Sequence, residues 1–558
     1  MALRSGLNGK VMLTLPSYGG LIGAGIGYAA SLTPSLLPRG TFFMILVAGL
    51  GMAAGYAIGS TVEWIARSVV KFAASYPDRK IVLVSLLAVW IPCAILTPIA
   101  LGWQYDQQDA LNFTKGAPAT VALFLGAAVL GLIFVCIGRG FRVVTRLLAR
   151  AIARIPGLST WMSASPGRIR VPRSVVAAAW CVGSVAVFGG AFNAITVSYD
   201  SINADSSGQN PVNLGINSGS AGSNTDWETL GREGRFYVNN TMTSSEITRI
   251  TGRPSSTPVR LYVGMQQAQT PEERVEIALA ELDRVDAWAR PYLVIYGVTG
   301  TGWVDPDAIN SIEAVTGGDV TTVTVQYSAV PSWIGFLIDP QTSMDQNSIL
   351  TKAVVNRWKS LPSDSRPELI LFGESLGSMG TQGAWQAGDQ PEEVTRDIQK
   401  IVWIGPPAES TLWKSWQAER TSGPAWDPVV GDGSIVQVIV TPETSGTANP
   451  NQGTRIVFAA HANDPVVYWS PSLLLSKPDW ADSPLGPGVM PQFRWIPIVT
   501  FLQVGLDLVA GGEPPEVGHN YSAQMAPAVA LGINNPAWTA DDLERLSAAL
   551  PDLRYETG

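Results

Sequence analysis

The sequence is poor in two residue types that carry much protein chemistry. Its 558 residues include three cysteines and two histidines. Cys93, Cys136 and Cys181 all lie in apolar runs of the first half, so the second half needs no disulfide and could fold in any compartment. The sequence also has no cysteine pair and no H-E-x-x-H motif. It therefore predicts no metal site, and no cofactor is expected.

The two halves of the chain carry opposite net charge: the first half has few acidic residues, and the second has fewer basic than acidic ones. Residues 1–199 contain sixteen Lys or Arg and four Asp or Glu, whereas residues 200–558 contain 21 and 41. The overall pI of about 5.1 therefore describes neither half. A strongly acidic second half argues against a nucleic-acid partner.

Long apolar runs are confined to the first half. A membrane span needs roughly 20 residues with few charges, and five runs meet this description: 14–34, 42–62, 81–102, 117–138 and 174–197. The alternative, buried core helices of a soluble protein, would not need so many runs in 200 residues. We predict a multispan membrane domain over 1–197, a Gly- and Ser-rich flexible linker over 198–228, and a separate domain over 229–558.

The basic residues of the first half predict its orientation. They cluster in the loops at 63–80 and 139–173, whereas the opposite loops hold only Arg39 and Lys115. Because Lys and Arg are enriched in cytoplasmic loops, the N-terminus is expected inside. Five spans then place the domain at 229–558 outside the plasma membrane. The lipid bilayer is the one partner that this half predicts directly.

The second half alternates short apolar runs with helical stretches, a pattern typical of a mostly parallel sheet flanked by helices. We therefore predict an α/β fold of the α/β-hydrolase type behind an all-α membrane domain. Candidate helices cover Pro271–Trp288 and Ser348–Ser360. The candidate strands are Arg260–Val263, Tyr292–Tyr296, Thr321–Tyr327, Leu369–Phe372, Ile401–Ile404 and Arg455–Ala459.

The motif Gly373-Glu374-Ser375-Leu376-Gly377 directly follows the candidate strand Leu369–Phe372. It matches G-x-S-x-G, in which a tight strand-to-helix turn exposes a strained serine. The two glycines let the strand and the helix approach each other closely. The alternative is a simple glycine-rich turn, but the preceding buried strand favours Ser375 as a nucleophile.

A serine nucleophile needs a base and an acid that orients the base. In α/β-hydrolases the order along the chain is serine, acid, histidine. His519 lies in a loop near the C-terminus, where this fold has its base, and Asp464 follows a candidate strand, where it has its acid. His461 is then a polar neighbour of the site. Glu516 and Asp427 are the competing acids.

Acyl transfer also needs donors that stabilise an oxyanion. The backbone N–H of Leu376, just after the nucleophile, is one candidate. The other is expected in the glycine-rich loop 297–303, with Val298 and Thr299 as alternatives. A phosphate-binding loop is a weaker interpretation, because the glycine order is G-x-x-G-x-G and no G-K-[ST] follows.

In several segments the chain resembles the bacterial, mostly actinobacterial, α/β-hydrolase membrane proteins with a multispan N-terminal domain. These segments span nearly the whole chain: Ser31–Arg39, Thr299–Trp303, Gln326–Ser328, Gly373–Ser378, Gly405–Pro407, Asp464–Val466 and Gly518–Tyr521. The resemblance implies an α/β-hydrolase fold behind a membrane domain, and it supports the roles of Ser375, Asp464 and His519. An actinobacterial source would imply acylated lipids or glycolipids of the cell envelope as substrates.

Taken together, these features predict a membrane-anchored serine hydrolase or acyltransferase acting through an acyl-enzyme on lipid or glycolipid esters. The sequence does not separate hydrolysis from acyl transfer, because the two differ only in the second acceptor. A non-catalytic envelope scaffold and a transporter-associated protein are the alternatives. A complete set of nucleophile, base and acid argues against the scaffold, and the scarcity of charges within the spans argues against a conduction path.

Overall fold

The computed structural model describes residues 17–69, 78–152, 189–441, 454–510 and 513–554, apart from 115, 117–118, 191, 207–208 and 213. By their contacts the residues form two compact units. The first comprises Met1–Ala194 together with Gln492–Leu506, and the second comprises Ile195–Pro491 together with Asp507–Gly558.

The first unit is helical. Its helices are α1 (Tyr18–Ser31), α2 (Thr41–Val69), α3 (Arg79–Ala110) and α4 (Thr120–Ile152). Within the described ranges, three helices are long and apolar enough to cross a membrane: Thr41–Ser68, Arg79–Ala110 and Thr120–Thr145.

These three helices correspond to the spans predicted over 42–62, 81–102 and 117–138. The run predicted over 14–34 forms α1, which has 14 residues and is too short for the roughly 20 that a span needs. Its side chains are apolar, but Ser17 caps its start and the helix ends before Pro34. The run predicted over 174–197 lies mostly outside the described residues.

Two rows of glycine join α1 to α2. The glycines recur every four residues, at 19, 23 and 27 in α1 and at 51, 55 and 59 in α2. A Cβ added at Gly23 would lie 2.1 Å from the carbonyl oxygen of Gly55, and one added at Gly27 would lie 2.0 Å from that of Gly51. The two backbones therefore touch, which is the packing that small residues permit between membrane helices.

The second unit is built on a sheet of seven parallel strands in the order β1-β3-β2-β4-β5-β7-β6. The strands are β1 (Val259–Val263), β2 (Tyr292–Gly297), β3 (Val320–Val325), β4 (Glu368–Glu374), β5 (Lys400–Ile404), β6 (Val436–Ile439) and β7 (Ile456–Ala459). Central strands are buried almost throughout, as expected where helices cover both faces of a parallel sheet.

Helices connect and cover these strands. They are α5 (Gly231–Asn239), α6 (Ser244–Thr251), α7 (Pro271–Arg284), α8 (Pro306–Val315), α9 (Ser332–Ile338), α10 (Pro340–Lys359), α11 (Leu376–Gln382), α12 (Pro391–Val394), α13 (Thr411–Ala418), α14 (Pro465–Tyr468), α16 (Met525–Ile533) and α17 (Ala540–Leu553). Between α14 and α16, α15 (Val499–Ala510) begins in the first unit and ends in the second.

The predicted parallel α/β architecture is confirmed, and six of the strands lie where the apolar runs predicted them. The seventh, β6, was missed because it is an edge strand of four residues whose two central residues are only partly buried. The helix predicted over Pro271–Trp288 ends at Arg284. The helix predicted to begin at Ser348 begins at Pro340, where the carboxylate of Asp339 accepts from the N–H of Thr342.

Part of the segment predicted as a linker packs on the second unit. The hydroxyls of Ser218 and Ser223 donate to the carboxylate of Glu281 on α7, and the N–H of Asn224 donates to it at 2.6 Å. The amide of Asn217 donates to the carbonyl of Val238. These contacts attach residues 217–224 to the sheet domain. The domain boundaries over 1–197, 198–228 and 229–558 stay a prediction.

Candidate active site

The predicted nucleophile lies in a strained turn between β4 and α11. Ser375 has φ 51° and ψ −124°, a conformation that costs a non-glycine residue energy and is typical of functional turns. Its N–H donates to the carbonyl of Ile404 at 2.8 Å. A Cβ added at Gly373 would lie 2.7 Å from the carbonyl oxygen of Gly377, and one at Gly377 would lie 2.1 Å from that of Gly297. Both glycines of the motif are therefore required by close backbone contacts.

Asp464 lies beyond the end of β7 and caps the short helix α14. Its side chain is fully buried. Oδ1 accepts from the N–H of Val466 at 2.7 Å, and Oδ2 lies 2.7 Å from Nδ1 of His519. Of the three candidate acids, Asp464 is thus the carboxylate in contact with the predicted base.

His519 occupies the loop that precedes α16. Its side chain is 25% exposed, and within the described part of the chain Nε2 has no hydrogen-bond partner. The imidazole lies against Gly405, since a Cβ there would be 2.6 Å from Cε1 of His519. Gly405 directly follows Ile404, the residue that accepts from Ser375. Ser375 and His519 are therefore both located at the end of β5.

The electrostatic setting makes His519 more basic than an ordinary histidine. Burial lowers its pKa, but the charge of Asp464 and the hydrogen bond to it act in the opposite direction and prevail. The pKa of His519 is therefore raised above its ordinary value. A proton on Nε2 is held more firmly, which suits a group that must accept one.

Tyr521 is a member of this cluster that the sequence did not single out. Its hydroxyl donates to Oδ2 of Asp464 at 2.7 Å. The ring of His461 stacks on that of Tyr521, with centroids 4.1 Å apart. His461, predicted as a polar neighbour, is indeed buried beside the pair but does not contact Oδ2. The signal for Tyr521 was its place two residues after His519.

The hydrogen bonds of the glycine-rich loop after β2 distinguish Val298 from Thr299, the two alternative oxyanion donors predicted there. The N–H of Thr299 donates to the carbonyl of Trp303 at 3.2 Å, closing a turn with the bond from Gly302 to Thr299. Val298 lies between this turn and the end of β2. The N–H of Gly300 donates to the hydroxyl of Ser332 at 2.9 Å. Leu376 is the first residue of α11, directly after the nucleophile.

Buried carboxyl groups lie beneath the turn. Burial raises the pKa of Glu374 well above its ordinary value, and the charges of Asp305 and Asp307 raise it further. Burial and Asp307 raise the pKa of Asp305 to about 7. The guanidinium of Arg554 binds Asp307 at 2.6 Å. Over the described ranges, no group of three or more His, Cys, Asp or Glu is arranged to hold a metal ion.

Comparison with known proteins agrees with this architecture. Residues 259–546, more than half of the chain, match the model of a family described as "Alpha/beta-hydrolase family". Residues 32–241 match the model described as "Alpha/beta-hydrolase family N-terminus". No curated protein and no solved structure matches the chain. A parallel sheet, a strained serine turn after its central strand and a match over most of the sheet domain lead to one conclusion: the chain belongs to this α/β-hydrolase family.

Proposed function

We propose that the protein is a membrane-anchored serine hydrolase or acyltransferase that cleaves carboxylic esters through an acyl-enzyme. Ser375 is the nucleophile, His519 the base and Asp464 the acid that orients the base. The observation that carries the proposal is the 2.7 Å contact between Nδ1 of His519 and Asp464. This contact directs the other ring nitrogen away from Asp464 and leaves it free to take a proton.

In the first step Oγ of Ser375 attacks the ester carbonyl and its proton passes to Nε2 of His519. The tetrahedral intermediate collapses, the leaving alcohol takes that proton, and an acyl-serine remains. Water or a lipid hydroxyl then attacks the acyl-serine, again giving its proton to His519. The acid or the new ester leaves, and Ser375 recovers its proton.

The oxyanion of each intermediate needs backbone donors. The N–H of Leu376 is the first, because it begins α11 directly after the nucleophile. For the second we favour Val298 over Thr299, since the N–H of Thr299 is already used in the bond to Trp303.

Two features support a lipid or glycolipid ester as substrate. The described part of the chain contains three helices long and apolar enough to span a membrane, so the enzyme would meet membrane lipids without diffusing to them. In addition, α9 is uncharged and has Trp333, Leu337 and Ile338 about half exposed. α9 touches the nucleophile's neighbour, since a Cβ at Gly335 would lie 3.2 Å from Leu376. We further propose that the sheet domain faces the outside of the plasma membrane.

A fluorophosphonate probe, which labels activated serines, tests the proposal on the full chain in detergent. We expect labelling of the wild type, none of Ser375→Ala, and labelling of His519→Ala slowed by at least about a hundredfold. Ser365→Ala, which alters an exposed serine, is the matched control and should label normally. An unlabelled but folded wild type would favour the scaffold instead. Labelling that survives in Ser375→Ala would identify a different nucleophile.

A further inference from the structure

The carboxylate of Asp464 has three donors, and two of them share one oxygen. Nδ1 of His519 and the hydroxyl of Tyr521 both lie 2.7 Å from Oδ2, and the N–H of Val466 lies 2.7 Å from Oδ1. Since Asp464 is fully buried, no solvent competes for these positions. The negative charge that Oδ2 presents to His519 therefore depends on how strongly the Tyr521 hydroxyl donates to the same oxygen.

The proton of the Tyr521 hydroxyl has one direction in which to point. The backbone N–H of His461 donates to this hydroxyl at 3.0 Å, so the tyrosine oxygen is an acceptor on that side. A phenol has a single proton, which must then go to Asp464. Burial, followed by the charge of Asp464, raises the pKa of Tyr521 well above its ordinary value, so the hydroxyl keeps that proton.

The tyrosine is held by the same loop that carries the base. The ring of His461 stacks on Tyr521 with an interplanar angle of 9°, and Nδ1 of His461 bonds to the carbonyl of Gly518 at 2.7 Å. The side chain of Asn463 accepts from the N–H of Gly518 at 3.1 Å. The Tyr521 ring meets that of His519 edge-on, with centroids 5.7 Å apart. The histidine that is not the base thus fixes the loop and Tyr521 together.

We propose that Tyr521 is a positioning residue that sets the basicity of His519 by binding Oδ2 of Asp464. This inference rests on the proposed function, since it assumes that His519 is the base. The hydroxyl of Tyr521 withdraws charge from the shared oxygen and fixes the carboxylate plane. Without it, more negative charge remains on Oδ2, so the carboxylate stabilises protonated His519 more strongly, and its plane is fixed by fewer hydrogen bonds. The base then holds its proton to higher pH and is less well aligned with Ser375.

Tyr521→Phe removes the hydroxyl and keeps the ring that stacks on His461. On a short p-nitrophenyl ester, with the full chain in detergent, we expect kcat to fall about tenfold and KM to change less than about twofold. The acid limb of the kcat/KM profile, where activity falls as His519 becomes protonated, should shift to higher pH by about half a pH unit to one pH unit. A residue that only fills space would not move this limb.

Tyr468→Phe is the matched control. Tyr468 is also buried and packs on Trp480, but within the described part of the chain its hydroxyl has no hydrogen-bond partner. The Tyr468→Phe variant should leave the acid limb unchanged. An equal shift in both variants, or an unmoved limb in Tyr521→Phe, would refute the positioning role. If fluorophosphonate labels the wild type at Ser375, either result counts against this inference alone and leaves the proposed function standing.

A second variant covers the case in which Tyr521→Phe does not fold. Site-specific replacement of Tyr521 by 3-fluorotyrosine keeps the hydroxyl and nearly the same shape, and it makes the hydroxyl a stronger donor. The acid limb should then move to lower pH, opposite to the shift in Tyr521→Phe. A limb that stays in place or moves up would contradict the inference.

Discussion

Glu374, the residue before the nucleophile, is an unusual neighbour for a strained serine. Its side chain is 8% exposed, and within the described residues Oε2 has no hydrogen-bond partner. The charged groups around it are Asp305 and Asp307, with Arg554 bound to Asp307. An ionised carboxylate without donors is costly to bury, so the folded protein favours the protonated form.

This setting makes stability depend on pH. A carboxyl whose pKa is raised on folding contributes stability below its unfolded pKa, near 4.5, and that contribution is lost as pH rises through the folded pKa. We expect the free energy of unfolding to fall from pH 5 to pH 8, by up to about 1.4 kcal/mol per pH unit for each such group. The melting temperature should fall with it. Glu374→Gln removes one group and should melt higher than the wild type at pH 8.

Differential scanning fluorimetry in detergent can follow both proteins across this range. Glu276→Gln, which neutralises an exposed carboxylate on α7, is the control and should parallel the wild type. Because Asp305 also titrates near pH 7, some slope should remain in Glu374→Gln. Curves for Glu374→Gln and wild type that run parallel would show that Glu374 does not take up its proton on folding.

The residues of the site differ in how far sequence alone could identify them. Ser375 lies in a short motif, and the scarcity of histidine left few choices for the base. The neighbours of Glu374 are about 70 residues away in the chain, and only the pairing of β2 with β4 brings the two segments together. The bond from Tyr521 to Asp464 depends on side-chain directions in a loop, which no periodicity records.

Among the elements, α9 offers a test of substrate chemistry. The exposed side chains of Trp333, Leu337 and Ile338 lie on a helix bound to the nucleophile's neighbour Leu376 and, through Ser332, to the loop at Gly300. An acyl chain lying on this helix would remove apolar surface from water. A water-soluble short ester would gain little from it.

The double variant Leu337→Ser with Ile338→Ser should therefore affect long and short esters differently. We expect kcat/KM for a palmitate ester to fall about tenfold, equivalent to about 1.4 kcal/mol of transition-state binding, and that for a butyrate ester to change little. Val212→Ser, at another exposed apolar position, is the control and should alter neither. An equal loss on both esters would indicate damage to the site and no acyl-chain contact.

Helices and strands were predictable where a local run of residues carries a clear apolar pattern. Runs of four to six buried side chains identified the central strands β3, β4 and β5, because both faces of those strands are covered. Edge strand β6 has two partly exposed residues at its centre and lacked this signal. The glycine rows of α1 and α2 are visible in the sequence at a spacing of four, but which helices they join depends on packing.

For the whole molecule, the orientation in the membrane is the main open prediction. In a variant whose native cysteines are replaced, Ser365→Cys adds a thiol at an exposed position of the sheet domain. A membrane-impermeant maleimide should label it in intact cells if that domain lies outside. Ser75→Cys, in the basic loop at 63–80, should be labelled only after lysis. The reverse pattern would invert the topology, and labelling of both positions only after lysis would place the sheet domain inside.

The path of the chain limits how the protein can be divided. Asp464 precedes and His519 follows the stretch Gln492–Leu506, which belongs to the first unit. There the amide of Gln503 donates to the carbonyls of Ser31 and Thr33, at 3.2 and 2.8 Å. A gene fragment encoding only residues 229–558 would thus carry a piece of the other unit between its acid and its base, with the acceptors of Gln503 gone. The second unit is discontinuous in sequence, so excising the first 200 residues would leave the stretch Gln492–Leu506 without the rest of the first unit.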